Sequence, residues 1–302
     1  MTDQTDKPEV IGVDIGGTAI KLGRILADGT CVESFAVPTP RPATPDAVIE
    51  KVAIAVNKLN VNKKAIALGL GIPGPADPEG RIALVSINLK GWENIPVADR
   101  LEKITGLPTV IDNDANCAGL GEAWLGAGRG CSNSILLTLG TGVGGAIILN
   151  GKLFTGRNGS AGELGLITLN PDGHPCNSGN QGSLEQHTSA TAIIRNTGKT
   201  PADWGKLADE NDPEALAFWQ DYGKTLATGI ASLVYVLTPE LVIIGGGVCA
   251  SAKYFLPALE IELHRRVMAT SRIDLKIVVA ALGNNAGITG AAKLAWEKFG
   301  NT

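Results

Sequence analysis

The 302 residues carry 26 Lys and Arg against 30 Asp and Glu, a formal net charge of −4, and 44% of them are hydrophobic. That balance is typical of a globular chain and argues against a basic nucleic-acid surface or one built for anionic membranes. No apolar run approaches the ~18 residues of a membrane span, and the polar start, Met1 to Pro8, lacks the apolar core of a signal peptide. The five cysteines, Cys31, Cys117, Cys131, Cys176 and Cys249, are odd in number and form no C-x-x-C pair. Reduced thiols and a cytoplasmic location are expected. The length admits one large domain or two medium ones.

Val10-Ile11-Gly12-Val13 reads as an apolar strand running into Asp14-Ile15-Gly16-Gly17-Thr18, with a second strand over residues 19–26. Thr44 is placed as an N-cap with Pro45 at the first helical position. Val48, Val52, Val56 and Leu59 then recur at helical spacing, which predicts a helix to about Asn60. A buried strand over 65–70 ends at Gly71-Ile72-Pro73-Gly74-Pro75. An amphipathic helix follows from Pro96 to Thr105, stopped by Gly106. Thr109-Val110-Ile111 is a short strand ending on Asp112-Asn113-Asp114, where a helix starts and runs through Trp124. A new strand begins at Ser134. The stretch 155–185, rich in Gly, Asn and Ser, reads as an ordered functional loop. Asp212-Pro213 opens a long helix reaching Leu237, ended by Thr238-Pro239. Leu241 to Ile244 is a strand running into Gly245-Gly246-Gly247, and Asn284-Asn285-Ala286-Gly287 opens the last helix. The alternation implies two α/β lobes.

Two glycine clusters carry the chemistry. In Asp14-Ile15-Gly16-Gly17-Thr18 the glycines allow a sharp turn whose N–H groups can approach an anion. Asp14 has the wrong sign to touch a phosphate but the right one to hold a hydrated Mg²⁺ beside it. Taken alone, the string is equally compatible with a plain hairpin turn. The segment 134–151 repeats its layout: an apolar strand, the turn Gly140-Thr141-Gly142, a second strand and a tight turn, Asn150-Gly151, matching Asp28-Gly29. Two such hairpins across a cleft could grip a polyphosphate from both sides. Gly140 to Gly145 also fits G-x-G-x-x-G, but a strand and not a helix follows it, so the dinucleotide fold is rejected. No G-x-x-x-x-G-K-[ST] loop occurs. Asp114 stands at a strand end that starts a helix, where α/β active sites open. An aspartate there is also an ordinary helix cap. Lys21 could reach a phosphate or be a solvated strand residue.

With these segments in order, the chain resembles the ROK family (repressors, open reading frames, kinases) of sugar kinases. The matching motifs are Asp14-Ile15-Gly16-Gly17-Thr18, Gly71-Ile72-Pro73-Gly74-Pro75, Asn88-Leu89-Lys90-Gly91-Trp92, Asn113-Asp114-Ala115-Asn116, residues 139–145, Ala161-Gly162-Glu163-Leu164-Gly165, Gly182-Ser183-Leu184-Glu185 and Ile243-Ile244-Gly245-Gly246-Gly247. The resemblance implies the two-lobed, actin-like ATPase (ribonuclease H-like) α/β fold with its active site in the interlobe cleft. Residues 1–113 are assigned to the small lobe, with 288–302 packing back on it, and 114–287 to the large lobe.

The same resemblance implies an ATP-dependent hexose kinase, most directly a glucokinase. Asp114 would be the base that takes the proton of the sugar 6-hydroxyl, with Asp112 ranked second. Gly74, Asn88, Asn113, Asp114, Glu163 and Glu185 would hold the sugar. Gly16, Gly17, Thr18, Thr141 and Gly142 would cradle the phosphates, and Gly245, Gly246 and Asn285 would lie by the adenosine. Asp14 would hold the Mg²⁺ that accompanies ATP. Gly246 has a plain alternative, a close helix–strand junction. A homodimer is expected, with no nucleic-acid or membrane partner.

The chain departs from the family at its zinc site. Many members hold a structural zinc with one His and three Cys; here those positions are Leu166, Cys176, Ser178 and Ser183. Serine hydroxyls are poor zinc ligands, so no structural zinc is expected, although His174 and His187 lie near Cys176 in sequence. The missing His lies close to the sugar in the family, so Leu166 bears on sugar preference. Alternatives are a kinase for another hexose or an N-acetylhexosamine, and polyphosphate as the donor. A sugar-responsive repressor would need an N-terminal helix-turn-helix domain, for which no room is expected before the first strand near residue 9. An actin-like filament protein would not need Asn113-Asp114 beside paired glutamates.

Overall fold

The structure, a computed structural model, describes residues 7–86, 89 and 91–300. The chain divides into two compact units. The first comprises Met1–Gly130, Leu153–Ala161 and Asn284–Thr302; the second comprises Cys131–Lys152 and Gly162–Gly283.

In the first unit β1 (Glu9–Ile15), β2 (Ala19–Leu26) and β3 (Cys31–Pro38) form an antiparallel meander. Helix α1 (Pro45–Leu59) starts as its sequence dictates: the Thr44 hydroxyl accepts from the Ala47 N–H, and Pro45 fills the first turn, where no N–H is needed. Strand β4 (Ala65–Ile72) pairs parallel with β1. The short pair β5 (Ala83–Val85) and β6 (Glu93–Ile95) precedes α2 (Val97–Thr105), which ends on left-handed Gly106. Strand β7 (Thr109–Asn113) pairs parallel with β4 and runs straight into α3 (Asp114–Leu125). The sheet order is β3-β2-β1-β4-β7.

The second unit repeats that plan. β8 (Ser134–Leu139) and β9 (Val143–Leu149) form a hairpin followed by β10 (Lys152–Leu153). Asn150 and Gly151 are both left-handed, as a two-residue hairpin turn requires. The Asp28-Gly29 turn differs: only Gly29 is left-handed, and the Asp28 carboxylate accepts from the Thr30 N–H. Four helices follow: α4 (Leu184–Thr188), α5 (Ala190–Thr197), α6 (Pro201–Asp209) and α7 (Pro213–Leu237). The last is capped by Asp212 accepting from the Ala215 N–H. β11 (Leu241–Gly245), α8 (Ala252–Arg266) and β12 (Lys276–Val279) complete a sheet of order β10-β9-β8-β11-β12. Its core gathers Leu137, Leu139, Trp219, Leu226, Ile230, Val242, Ile244 and Phe255. No helix among the described residues is long and apolar enough to cross a membrane.

The C-terminal helix α9 (Ala286–Phe299) returns to the first unit. One face of the first sheet packs Ile11, Val13, Ile15, Ile20 and Leu22 against α1 and α2. On the other face Val10, Ala67 and Val110 meet Ala292 and Ala295 of α9. The approach is backbone to backbone. A Cβ on Gly69 would overlap the Ala291 carbonyl, and one on Gly290 would overlap the Cys117 carbonyl of α3. This packing ties α3 to α9, so the segment 114–130 belongs with the first unit. The expected boundary at 113 therefore differs from the observed division. Gly290→Ala should destabilise the protein by about 1–3 kcal/mol, because neither backbone can yield to the added methyl. Urea unfolding checks this; an unchanged midpoint would mean that α3 and α9 separate at little cost.

Candidate active site

In the first unit the carboxyl ends of β1, β4 and β7 lie side by side, with Asp14 paired to Gly71 and Gly71 to Asp112. The Gly16-Gly17-Thr18 turn leaves β1 here. Gly16 N–H donates to the Ala19 carbonyl, and Thr39 fixes the turn by donating its hydroxyl to the Gly16 carbonyl (2.6 Å) and its N–H to that of Thr18 (3.0 Å). Gly17 and Thr18 are exposed, and a Cβ on Gly17 would meet nothing within 4 Å. The Asp14 carboxyl faces the first turn of α9, where a Cβ on Gly287 would lie 2.8 Å from its Cγ. Burial raises the Asp14 pKa above the usual carboxylate range, and Lys21, with Nζ 3.6 Å from Oδ2, opposes that rise. Asn285 is the N-cap residue of α9.

At the end of β7 the residues separate into distinct tasks. Asn113 is the cap of α3: its side-chain oxygen accepts from the Ala115 and Asn116 N–H groups (2.9 and 3.1 Å). Its amide nitrogen donates to the Gly74 carbonyl at 3.3 Å, so two expected sugar contacts come together. Asp114 is the first helical residue, half-buried, with Oδ1 accepting from Ala115 N–H. The ordinary cap reading of Asp114 is thereby corrected, because Asn113 fills that role. Asp112 is turned inward at 9% exposure, its Oδ1 accepting from the Asn113 N–H and the Asn116 amide, and burial raises its pKa. The thiol of Cys117 is pushed well up by burial, and further by the charges of Asp112, Asp14 and Asp114. Left-handed Gly74 lies against β5, where a Cβ would overlap the Val85 carbonyl. Asn88 lies outside the described residues.

The second unit holds the other expected residues. The turn Gly140-Thr141-Gly142 is closed by Gly140 N–H donating to the Gly142 carbonyl (2.9 Å). Its buttresses come from α4 and α5. Ala190 N–H donates to the Gly140 carbonyl and the Thr191 hydroxyl to that of Thr141 (2.8 and 2.7 Å). Glu185 Oε2 accepts from the Val143 N–H at 2.9 Å, and a side chain on Gly142 would collide with that carboxylate. Ala190 and Thr191 escaped the sequence reading; the available signal was Ser189, whose hydroxyl caps α5 by accepting from Ala192 N–H. Glu163 is exposed overall, and its carboxyl is partly desolvated. That desolvation, and then the charge of Glu185, raises its pKa. Gly245 ends β11. Gly246, left-handed, passes so close to Leu139 that a Cβ would overlap its carbonyl, which supports the structural alternative for that glycine.

The segment at the family's zinc position is ordered by its own hydrogen bonds. Buried Cys176 and Ser183 are joined Sγ to Oγ at 2.9 Å. The Asn180 amide donates to the Leu166 carbonyl, and Thr168 donates to the Asn180 side-chain oxygen. Left-handed Gly182 accepts from the Leu169 and Asn170 N–H groups. Leu166 is half-buried, and His174 contacts the Pro175 carbonyl. Among the described residues no group of three or more His, Cys, Asp or Glu side chains could hold a metal ion.

Residues 10–298 match the ROK family. The chain is 37% identical to a glucokinase of Halalkalibacterium halodurans, over 94% of each chain. It is 34% identical to a glucokinase of Thermotoga maritima, over 97% of this chain and 99% of that one. The crystal structure of a ROK family glucokinase from Streptomyces griseus in complex with glucose and AMPPNP superposes with a TM-score of 0.83. It is 33% identical, over 96% of this chain and 99% of the other. The chain belongs to the ROK family, and its fold is the two-lobed actin-like ATPase fold.

The two glutamates give a test of the site's electrostatics. A neighbouring negative charge disfavours ionisation, so Glu185→Gln should lower the Glu163 pKa toward the ordinary glutamate range. Carbon-detected NMR titration of the Glu163 carboxyl checks this; an unmoved titration would leave desolvation as the whole cause.

Proposed function

We propose that this chain is an ATP-dependent glucokinase that transfers the γ-phosphoryl group to the 6-hydroxyl of glucose. The observation that carries the proposal is the division of labour at the end of β7. Asn113 caps the helix and holds Gly74, Asp112 is buried, and half-buried Asp114 opens α3 directly after β7. The AMPPNP and glucose held by the Streptomyces griseus relative support ATP as donor and glucose as acceptor.

The sugar oxygen attacks the γ-phosphorus, the bond from that phosphorus to the β,γ-bridging oxygen breaks, and ADP leaves. The hydroxyl proton passes to the Asp114 carboxylate. Gly74, Asn88, Asn113, Glu163 and Glu185 hold the sugar, a donor and acceptor set suited to hydroxyls. Gly16, Gly17, Thr18, Thr141 and Gly142 cradle the phosphates, while Gly245, Gly246 and Asn285 border the adenosine. Asp14 fits the Mg²⁺ that travels with ATP, since that ion takes one or two carboxylates plus phosphate oxygens and waters and needs no protein cage. When bound, the ion neutralises charge on the phosphates.

Glucose should show the highest kcat/KM in a coupled assay with a panel of hexoses and ATP·Mg²⁺. A higher value for fructose or N-acetylmannosamine would overturn the sugar assignment. Absence of transfer to every hexose, with ATP and with polyphosphate, would overturn the kinase. Asp114→Asn should lower kcat by roughly 10²–10⁴ while leaving sugar affinity within about tenfold. Near-normal kcat in the folded variant would remove Asp114 as the base.

Zinc has no part in this proposal, because Cys176 is committed to Ser183 and Asn180 ties the loop to Leu166. Protein purified without added zinc should contain far less than one zinc per chain. Its melting temperature and activity should survive a zinc-selective chelator in excess Mg²⁺. About one zinc per chain, with activity lost on chelation and restored by zinc, would reverse this.

A further inference from the structure

Lys21 sits in a strand that otherwise contains only small or apolar residues and Arg24. Its neighbours Ile20 and Leu22 are fully buried and point to the α1 side of the sheet. Alternation puts Lys21 on the opposite face with Gly23, the face that α9 covers. There β1 presents Gly12, where a Cβ would overlap the Ile288 carbonyl of α9, and Asp14, whose carboxyl faces Gly287. On that face Val10, Ile25 and Gly23 pack toward α9, and Lys21 meets the carboxylate of Asp14 there. The antiparallel register sets it directly opposite Asp14, three residues past Thr18.

The ammonium is held but not saturated. Nζ is 3.6 Å from Asp14 Oδ2 and 3.3 Å from the Asn284 carbonyl. Both distances exceed those of a short charge-assisted hydrogen bond, and the side chain is 35% exposed. An ammonium has three donors. Asp14 and Asn284 thus orient the group in the strand that leaves the exposed Gly17-Thr18 turn, and its partial exposure leaves it reachable.

We infer that Lys21 binds the terminal phosphates of the nucleotide donor, as the fixed cation of the first glycine hairpin. This rests on the glucokinase proposal and names a further residue of its donor site. The carboxylate beside it has a complementary task. Asp14 carries no attraction for a phosphate, whereas Lys21 meets the phosphate oxygens directly as a point charge. The pair therefore presents both signs of charge within one strand register.

The experiment compares wild type with Lys21→Met and Lys21→Arg by calorimetric titration with AMPPNP and with AMP, with and without Mg²⁺, alongside steady-state kinetics. AMP shares the adenosine but lacks the terminal phosphates. Lys21→Met should weaken AMPPNP roughly 10- to 100-fold, the usual cost of losing a hydrogen bond to a charged group. AMP affinity and glucose KM should stay within about twofold. The loss should persist without Mg²⁺, and Lys21→Arg should recover most of the binding. If Lys21→Met does not fold, Lys21→Gln takes the same titrations. Equal weakening of AMPPNP and AMP, or no weakening of either in a folded variant, would assign Lys21 only to fixing Asp14 and overturn the inference. Wild-type protein that transfers no phosphoryl group from ATP to any hexose would instead overturn the glucokinase proposal.

Discussion

The first unit depends on the direct backbone contact of α9 with β4 and α3. Side chains normally hold helix axes 8–10 Å apart; Gly290 removes that spacer between α9 and α3, and Gly69 removes the side chain that would separate β4 from α9. The consequence reaches the site. Because α9 lies so close, its first turn arrives at the Asp14 carboxyl, with Gly287 against it. The same helix thereby completes the core on one face and walls the strand ends on which Asp14, Gly71 and Asp112 are aligned. Packing and site geometry are one constraint here, since any side chain that pushed α9 outward would also move its N-terminus.

The two sheets share one strand order, three antiparallel strands followed by two parallel ones. Their hairpin turns are supported differently. In the first, Thr39 from the end of β3 fastens the turn through both its hydroxyl and its N–H. In the second, the supports come from helices: Glu185 on α4, and Ala190 and Thr191 on α5. The repeated supersecondary unit thus has a differently closed turn and different braces in each copy. The braces also set the room at each glycine: a Cβ on Gly142 would displace the Glu185 carboxylate, whereas Gly17 faces open space.

Much of the fold was legible because the local signals agree with one another. Thr44 with Pro45, Asp212 with Pro213 and Gly106 each mark a helix end by a specific unmet backbone group, and each acts at that place in the structure. The strand after Gly145 and the Asn150-Gly151 turn were readable for the same reason. The site was legible as motifs but not as tasks. Asp112, Asn113 and Asp114 are all fit to cap a helix, and only the pitch of β7 into α3 decides that Asn113 does so and Asp112 turns inward. The position of α3 was also hidden. Its affiliation with α9 is a contact between residues far apart in sequence, made through Gly290, which in the sequence looks like a weak point in a helix. The loop at 166–183 illustrates a third case. The residues at 166, 176, 178 and 183 were readable as a departure from the family pattern, but that Asn180 would bind Leu166 and Cys176 would bind Ser183 follows from loop geometry alone.

The carboxylate of Glu185 has one oxygen committed to the Val143 N–H. Under the proposed assignment that residue belongs to the sugar pocket and to the donor hairpin at once. Evolutionary drift in acceptor preference is therefore channelled. On that assignment, a substitution at Glu185 that removes the acceptor would release the Val143 N–H next to Gly142 and disturb the turn along with the sugar contact. Glu163 opens only a 3₁₀ turn and has no such second duty in the hairpin. Lineages that move to a new sugar on this scaffold should accumulate their changes around Glu163 and Leu166, and leave Glu185 fixed.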